Sequence, residues 1–398
     1  MKKIHPLLSI FLIVLVDVLG LTIILPLLPF YTEKMGGTPV TVGWLISAYS
    51  ICQLIAGPIL GQLSDRVGRK PVLLVSQTGT FLGFILLALA PNLKLIFLAR
   101  IIDGITAGNL SVAQAYISDV TEAKNRAKSF GLIGIAFGLG FLLGPAISGL
   151  LVQYGYSYPI FAAAALSAIS IAATFFLLPS RPDVAPAKLE ENKDQGPMVL
   201  QAFKNPDLAP LLWQFFAFIF SFAVFVSGFA LFAERRFTYH DMPFGAKEVG
   251  YVFAYVGLIG VMIQAGMMGK LVSIFGEKNL VRIGFASMFI SFLLLGVVKT
   301  IPFLLMTVTL SFFGSSVLRP SLTSLITQKV SKARQGMVLG VTQSLMSISQ
   351  IIAPVIGGFL IQHRFLSPWA WTGAASTGIG LLLVNFKNEK PAAAAGGV

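Results

Sequence analysis

The sequence predicts an all-α polytopic membrane protein made of two six-helix bundles, and three observations predict it. Charge is scarce: 11% of the 398 residues are Asp, Glu, Lys or Arg and 56% are hydrophobic, where a soluble domain carries about 25% charged residues. Apolar runs of about 20 residues, the length a helix needs to cross a bilayer core, recur from end to end. The stretches between them alternate between many and few cations, as loops do on opposite sides of a membrane.

Twelve spans are expected, near residues 7–30, 41–62, 72–90, 95–117, 129–152, 158–178, 208–232, 248–269, 280–298, 302–324, 337–361 and 369–386. A secretory leader would have an apolar core of only about 7–15 residues followed by a cleavage site. Here the first run continues to about Tyr31 and contains Asp17, so a retained first helix is expected. The chain divides into an N-terminal six-helix bundle (1–178), a cytoplasmic linker (179–207), a C-terminal six-helix bundle (208–390) and a disordered tail (391–398). The linker holds Pro179, Pro182, Pro186, Pro197 and Pro206 among charged residues, a composition that cannot bury a core.

With the N-terminus in the cytoplasm, 20 of the 29 Lys and Arg fall on the cytoplasmic side, 7 fall on the other, and Arg100 and Arg319 lie within spans. Both termini are therefore expected in the cytoplasm. The same bias explains the net charge of +13 without a nucleic-acid partner. Cys52 is the one cysteine, which excludes a disulfide framework or a thiolate metal site within the chain. His5, His240 and His363 have no ligand spacing. No Walker loop, nucleophile elbow or metal-ligand cluster is present, so neither an enzyme nor a cofactor is expected.

The halves repeat. A shift of 209 residues places Gly131 on Gly340, Pro145 on Pro354 and Gly149 on Gly358. A shift of 208 places Gly68 on Gly276, which makes Gly269-Lys-Leu-Val-Ser-Ile-Phe-Gly276 a degraded copy of the loop after span 2. Repeated halves around a site near the midplane are what alternating access requires.

That loop reads Gly61-Gln-Leu-Ser-Asp65-Arg66-Val-Gly68-Arg69-Lys70-Pro71, with spans on both sides. It resembles the signature loop between helices 2 and 3 of the major facilitator superfamily. Three more stretches resemble the same family. Arg100-Ile-Ile-Asp-Gly104 matches its R-x-x-x-G motif in span 4. Gly140-Phe-Leu-Leu-Gly144-Pro145-Ala-Ile-Ser-Gly149 in span 5 is similar to the motif of its exporter branch, with Leu150 where a second Gly is usual. Asp17 through Pro29 is similar to the opening helix of the twelve-helix drug/proton antiporters, the tetracycline exporters among them.

The resemblance implies a proton-coupled exporter of amphipathic small molecules working by alternating access, with the proton as coupling ion. It implies a proton role for Arg100. It also implies that a charged cluster of the signature loop, with Asp119 at the end of span 4, stabilises one access state. Asp119 is expected to pair with Arg66 or Arg69, and Asp65 to sit at the N-terminus of span 11, where a helix dipole favours an anion. Gly140, Gly144, Pro145 and Gly149 are expected to form a hinge or seal. A monomer in a bacterial inner membrane is expected. A sugar or metabolite transporter of the same fold remains the alternative.

Charges inside spans carry the chemistry. One at a helix centre costs about 2.5–3.5 kcal/mol on insertion scales, so each must face protein or a water-filled cavity. Asp17 lies about ten residues into span 1 and Asp103 about nine into span 4 from the other face, which puts both near the midplane. Taking a carboxylate out of water favours its protonated form, so both are candidate proton carriers. Arg100 shares a helix face with Asp103, and a fixed pair that only orients span 4 is the other possibility. Arg319 lies toward the cytoplasmic end of span 10 and is expected to snorkel or pair at the interface. Candidate substrate contacts are the polar Tyr49, Gln53, Asn109, Gln114, Gln264, Gln343 and Gln350, each of which needs a partner or water in the bilayer. The aromatic run of span 7 adds Phe216 and Phe220, although lipid-facing Phe is the commoner case.

Overall fold

The computed structural model describes residues 6–121, 126–178, 202–330 and 335–386. The expected tail and most of the expected linker lie outside these residues. Helices dominate: α1 (Pro6–Ile24), α2 (Leu28–Lys34), α3 (Pro39–Val67), α4 (Arg69–Ala88), α5 (Leu93–Ile105), α6 (Asn109–Val120), α7 (Arg126–Leu151), α8 (Ser157–Leu177), α9 (Ala209–Arg236), α10 (Ala246–Val261), α11 (Met268–Val297), α12 (Ile301–Gln328), α13 (Gln335–Gln362) and α14 (Leu366–Phe386). A π-helical turn, Met262–Met267, joins α10 to α11. A two-residue hairpin, β1 (Thr238–Tyr239) with β2 (Met242–Pro243), follows α9.

Among the described residues, ten stretches are long and apolar enough to cross a membrane. One of them, Ala246–Val297, spans 52 residues and covers the expected spans 8 and 9. Gly276 breaks it with φ 70° and ψ 158°. α14 occupies the place of span 12 but is not among the ten. Span 4 was expected to run unbroken, yet it is two helices. Thr106 leaves the helix after Ile105, and Gly108 starts the next. Ser76 of α4 stitches the gap, donating to the Thr106 carbonyl and accepting from Gly108 N at 3.0 Å.

The described residues fall into two compact units. The first draws on Met1–Glu191, Val226–Val261 and Gln350–Arg364; the second on Asn192–Phe225, Met262–Ser349 and Phe365–Val398. In the first, α1 packs against α7 and α8. Its Ile10, Ile13, Val14 and Val18 meet Leu73, Val112, Tyr116 and Ile117 in one buried cluster. In the second, α11 packs against α12 and α14. The approach of α11 to α12 needs small residues, because a Cβ at Gly314 would stand 2.6 Å from the Gly284 carbonyl. Ser291 Oγ donates to the Thr307 carbonyl at 2.6 Å across the same contact. Phe225, Phe292 and Phe312 fill the space beside it.

Candidate functional site

Span 4 brings its two charges together. Arg100 Nη1 donates to Asp103 Oδ2 at 2.7 Å, one helical turn apart, and both side chains are buried. The Arg100 guanidinium lies 4.2 Å from the ring centroid of Tyr49 on α3, and the Tyr49 hydroxyl accepts from Gln53 Nε2 at 3.2 Å. Gly104 explains how α3 comes so near: a Cβ there would stand 2.7 Å from the Tyr49 carbonyl oxygen and 2.7 Å from Cys52 Cβ. In this chain, then, the Arg and the Gly of R-x-x-x-G serve one purpose. The Gly lets α3 in, and the Arg lies on the ring that α3 delivers. Two of the polar residues proposed as substrate contacts, Tyr49 and Gln53, thus belong to the Arg100 cluster.

Among the described residues, Asp17 on α1 has no cation within ion-pair distance. Ser170 Oγ on α8 donates to Asp17 Oδ1 at 2.9 Å. Gln77 Nε2 on α4 donates to the same Ser170 Oγ at 2.8 Å. Ser170 and Gln77 are fully buried. Asp17 Oδ2 is buried with no hydrogen-bond partner among the described residues, and so is Asn109 Oδ1 at the start of α6. Sequence reasoning found Asp17, Asn109, Arg100 and Asp103 but missed Ser170 and Gln77. The only signal for them was a polar residue within an apolar run, which many other positions share.

The signature loop forms its own network. Gly68 has φ 102° and ψ 153°, closes α3 and opens α4. Arg69, the next residue, reaches Asp65 Oδ1 at 2.5 Å and Asp119 Oδ2 at 2.8 Å, and donates to Ser64 Oγ at 2.7 Å. Arg69 is therefore the partner of Asp119, and Asp65 pairs within the loop. Arg66 is exposed, and Lys70 Nζ donates to the Phe175 carbonyl at 2.7 Å. Gly61 has open space on its Cβ side.

The small residues of span 5 divide between two neighbours. Gly140 and Gly144 face α1, where Thr22 Oγ1 donates to the Gly140 carbonyl at 2.8 Å. Pro145, which removes a helical hydrogen bond, and Gly149 face Gly250 of α10. A second tight contact joins the first part of α3 to the last part of α13. Gly43 meets the Pro354 backbone, Gly358 meets the Pro39 backbone, and Ser47 Oγ donates to the Ile351 carbonyl at 2.6 Å. Gln350 lies in this contact, 3.5 Å from Ser50 Oγ.

The other candidates are spread out. Gln114 is half-buried on α6, Gln343 half-buried on α13, and Gln264 exposed on the π turn. Phe216 and Phe220 lie along one face of α9, their rings tilted by 37° with centroids 6.0 Å apart. The Arg319 guanidinium sits 5.8 Å from the ring centroid of Phe222, at the middle of α9.

The sequence model of the Major Facilitator Superfamily matches residues 10–267 and 265–396. Multidrug resistance protein 2 of Bacillus subtilis is 28% identical over 408 residues, covering 99% of both chains. The class H tetracycline resistance protein of Pasteurella multocida is 31% identical over 362 residues, covering 89% of this chain and 88% of its own. Among solved structures, the human organic anion transporter MFSD10 superposes with a TM-score of 0.73 at 23% identity, over 96% of this chain and 100% of that one. A multi-pass helical fold, a buried cluster of charges inside the helices with a second network in the loop after α3, and a family match over nearly the whole length lead to one conclusion: the chain is a membrane transporter, not an enzyme, and belongs to the Major Facilitator Superfamily.

Proposed function

We propose that this chain exports amphipathic small molecules of the drug type from a bacterial cell and couples export to proton entry. The single observation that carries the coupling is Asp17. One of its oxygens takes a hydrogen bond from Ser170, the other is buried with no donor at hydrogen-bond distance among the described residues, and the side-chain amides of Asn109 and Gln77 stand nearby. A proton on Oδ2 cancels the buried charge while Ser170 keeps donating to Oδ1. An orphaned buried acceptor is costly, so loading that proton and losing it again at a water-exposed stage gives the carboxylate two usable states. Asp103 is assigned a different part. Arg100 at 2.7 Å balances its charge in place, so the pair orients span 4 beside Asp17 and shapes the field there.

The relatives' names, multidrug and tetracycline resistance, support the drug class. The cation bias supports cytoplasmic termini in a bacterial inner membrane. The chain acts as a monomer with no cofactor. The Arg69 network is assigned to holding one access state, and the Gly140–Gly149 stretch to letting α7 slide between its neighbours.

The test is accumulation of tetracycline and of a cationic dye in cells expressing the chain. Wild type lowers accumulation, a protonophore abolishes that effect, and Asp17→Asn abolishes it while membrane levels stay normal. Export by Asp17→Asn at the wild-type rate removes Asp17 from coupling. No effect of wild type on any compound overturns drug export and returns the metabolite transporter.

A further inference from the structure

We propose that Arg319 binds an anionic group of the transported molecule, and that the preferred substrates are therefore aromatic carboxylates; this rests on the export reading above. α12 runs through 28 residues, and Arg319 is the only charged one among them. Its Cα lies nine residues from the C-terminal end of the helix, a depth of about 13 Å. Snorkelling would carry the side chain toward that end. It goes the other way, as the tilt of helical side chains toward the N-terminus favours. Phe222 is the fourteenth residue of the 28 in α9, and it also touches Phe312, seven residues before Arg319. The guanidinium is thus drawn up toward the middle of both helices.

Nothing there neutralises it. Among the described residues the Arg319 side chain makes no ion pair and no hydrogen bond, and its one recorded partner is the ring of Phe222. Neither α9 before Glu234 nor α12, α13 or α14 supplies a carboxylate, and the one on α11, Glu277, accepts from Ser324 and Gln328 instead. A ring contact engages the charge of a guanidinium but leaves its N–H donors free. Those donors form a planar fork that matches a carboxylate in bidentate fashion. A cation inside a span is expensive and marks a substrate path or a partner. The neighbouring rings Phe222, Phe312 and Phe225, with successive centroids 6.0 Å and 5.5 Å apart, offer the apolar body of such a ligand a surface to lie on.

Rhodamine B and its ethyl ester form a matched pair of probes. They share an aromatic body and a delocalised cation and differ by one carboxylate. Binding is measured by fluorescence on the purified full chain in nanodiscs, and transport in energised vesicles. Wild type should bind the acid about tenfold more tightly than the ester, as expected for a charge-assisted hydrogen bond made by only one of them. Arg319→Gln should lose that preference while still binding the ester, and Arg319→Lys should keep part of it. A wild type with no preference, or with no saturable binding of either dye, overturns the proposal even if Arg319→Gln fails to fold. A preference that survives in Arg319→Gln overturns it too. Preference in binding without any proton-driven transport keeps the site and removes the export reading instead.

Discussion

The two halves of the chain treat their charges differently. In the first half, Arg100 and Arg69 are both held by carboxylates, Asp103 at 2.7 Å and Asp119 at 2.8 Å. In the second, Arg235 at the end of α9 pairs with Glu33 at 2.5 Å and Glu234 at 2.8 Å, but deeper in the helices Arg319 lies against Phe222 with no acid among the described residues, and Glu277 takes its hydrogen bonds from neutral groups, Ser324 Oγ at 2.6 Å and Gln328 Nε2 at 3.0 Å. The backbone plan is nevertheless shared. Gly68 and Gly276 have φ 102° and 70° with ψ 153° and 158°. The residue after each glycine reaches sideways to the span-4 or span-10 helix. The second loop is therefore not simply a degraded copy of the first. Its turn is kept because backbone geometry demands it, while the side chain after the turn has gone from a cation held by carboxylates to a carboxylate held by neutral donors. The backbone requirement of the turn is the same in both loops, whereas the charge pair of the first is replaced in the second by hydrogen bonds from neutral groups.

The largest expected effect breaks the interior comparison. Asp103→Asn strands a buried Arg100, and stranding one member of a buried ion pair costs about 3–5 kcal/mol. The melting midpoint of the purified protein should fall steeply, and Arg100→Gln combined with Asp103→Asn should recover most of the loss. Arg319→Gln has no partner to strand, so its midpoint should stay near wild type or rise. A large loss there would mean that Arg319 is a structural group and would erase the contrast between the halves.

Next come the turns. Both glycines sit at positive φ with extended ψ, a region essentially closed to residues with a Cβ, so alanine at either should cost about 1–3 kcal/mol. Neither site is crowded, since a Cβ at Gly68 would meet only Pro71 Cδ at 3.7 Å and one at Gly276 would meet nothing within 4 Å. The penalty should thus be pure backbone strain, and nearly equal in the two variants. Unequal shifts of the melting midpoint would show that the two turns are not equivalent.

Much of this was legible in the sequence, for reasons that also mark where legibility ends. Asp17, Arg100 and Asp103 stand out because charges in apolar runs are rare. The helices themselves follow from run length. Ser170 and Gln77 did not stand out, because hydroxyls and amides are common in spans and their partners lie far away in sequence, 153 residues for Ser170 and Asp17. The break in span 4 was hidden because Thr106, Ala107 and Gly108 fit an apolar run as well as a helix would. Arg69 rather than Arg66 as partner of Asp119 depended on the exact turn at Gly68. The direction of Arg319 depended on side-chain tilt and on Phe222, neither of which shows in a charge count.

The smallest expected effect tests whether the second loop still holds anything. Glu277 is half-buried, and hydrogen bonds to charged groups are worth about 1.5–3 kcal/mol when buried but far less where water competes. Arg69 lies deeper, with 14% of its side chain exposed, and its partners are charged. A double-mutant cycle of Glu277→Ala and Ser324→Ala should therefore give a coupling of about 0.5–1 kcal/mol, and one of Arg69→Ala and Asp119→Ala a larger value. Because Ser324 bears no charge, the Glu277 coupling should change little between low and high salt, whereas the Arg69 coupling should weaken. Equal couplings with equal salt dependence would mean that the change of sign altered nothing, and that the two loops are held in the same way after all.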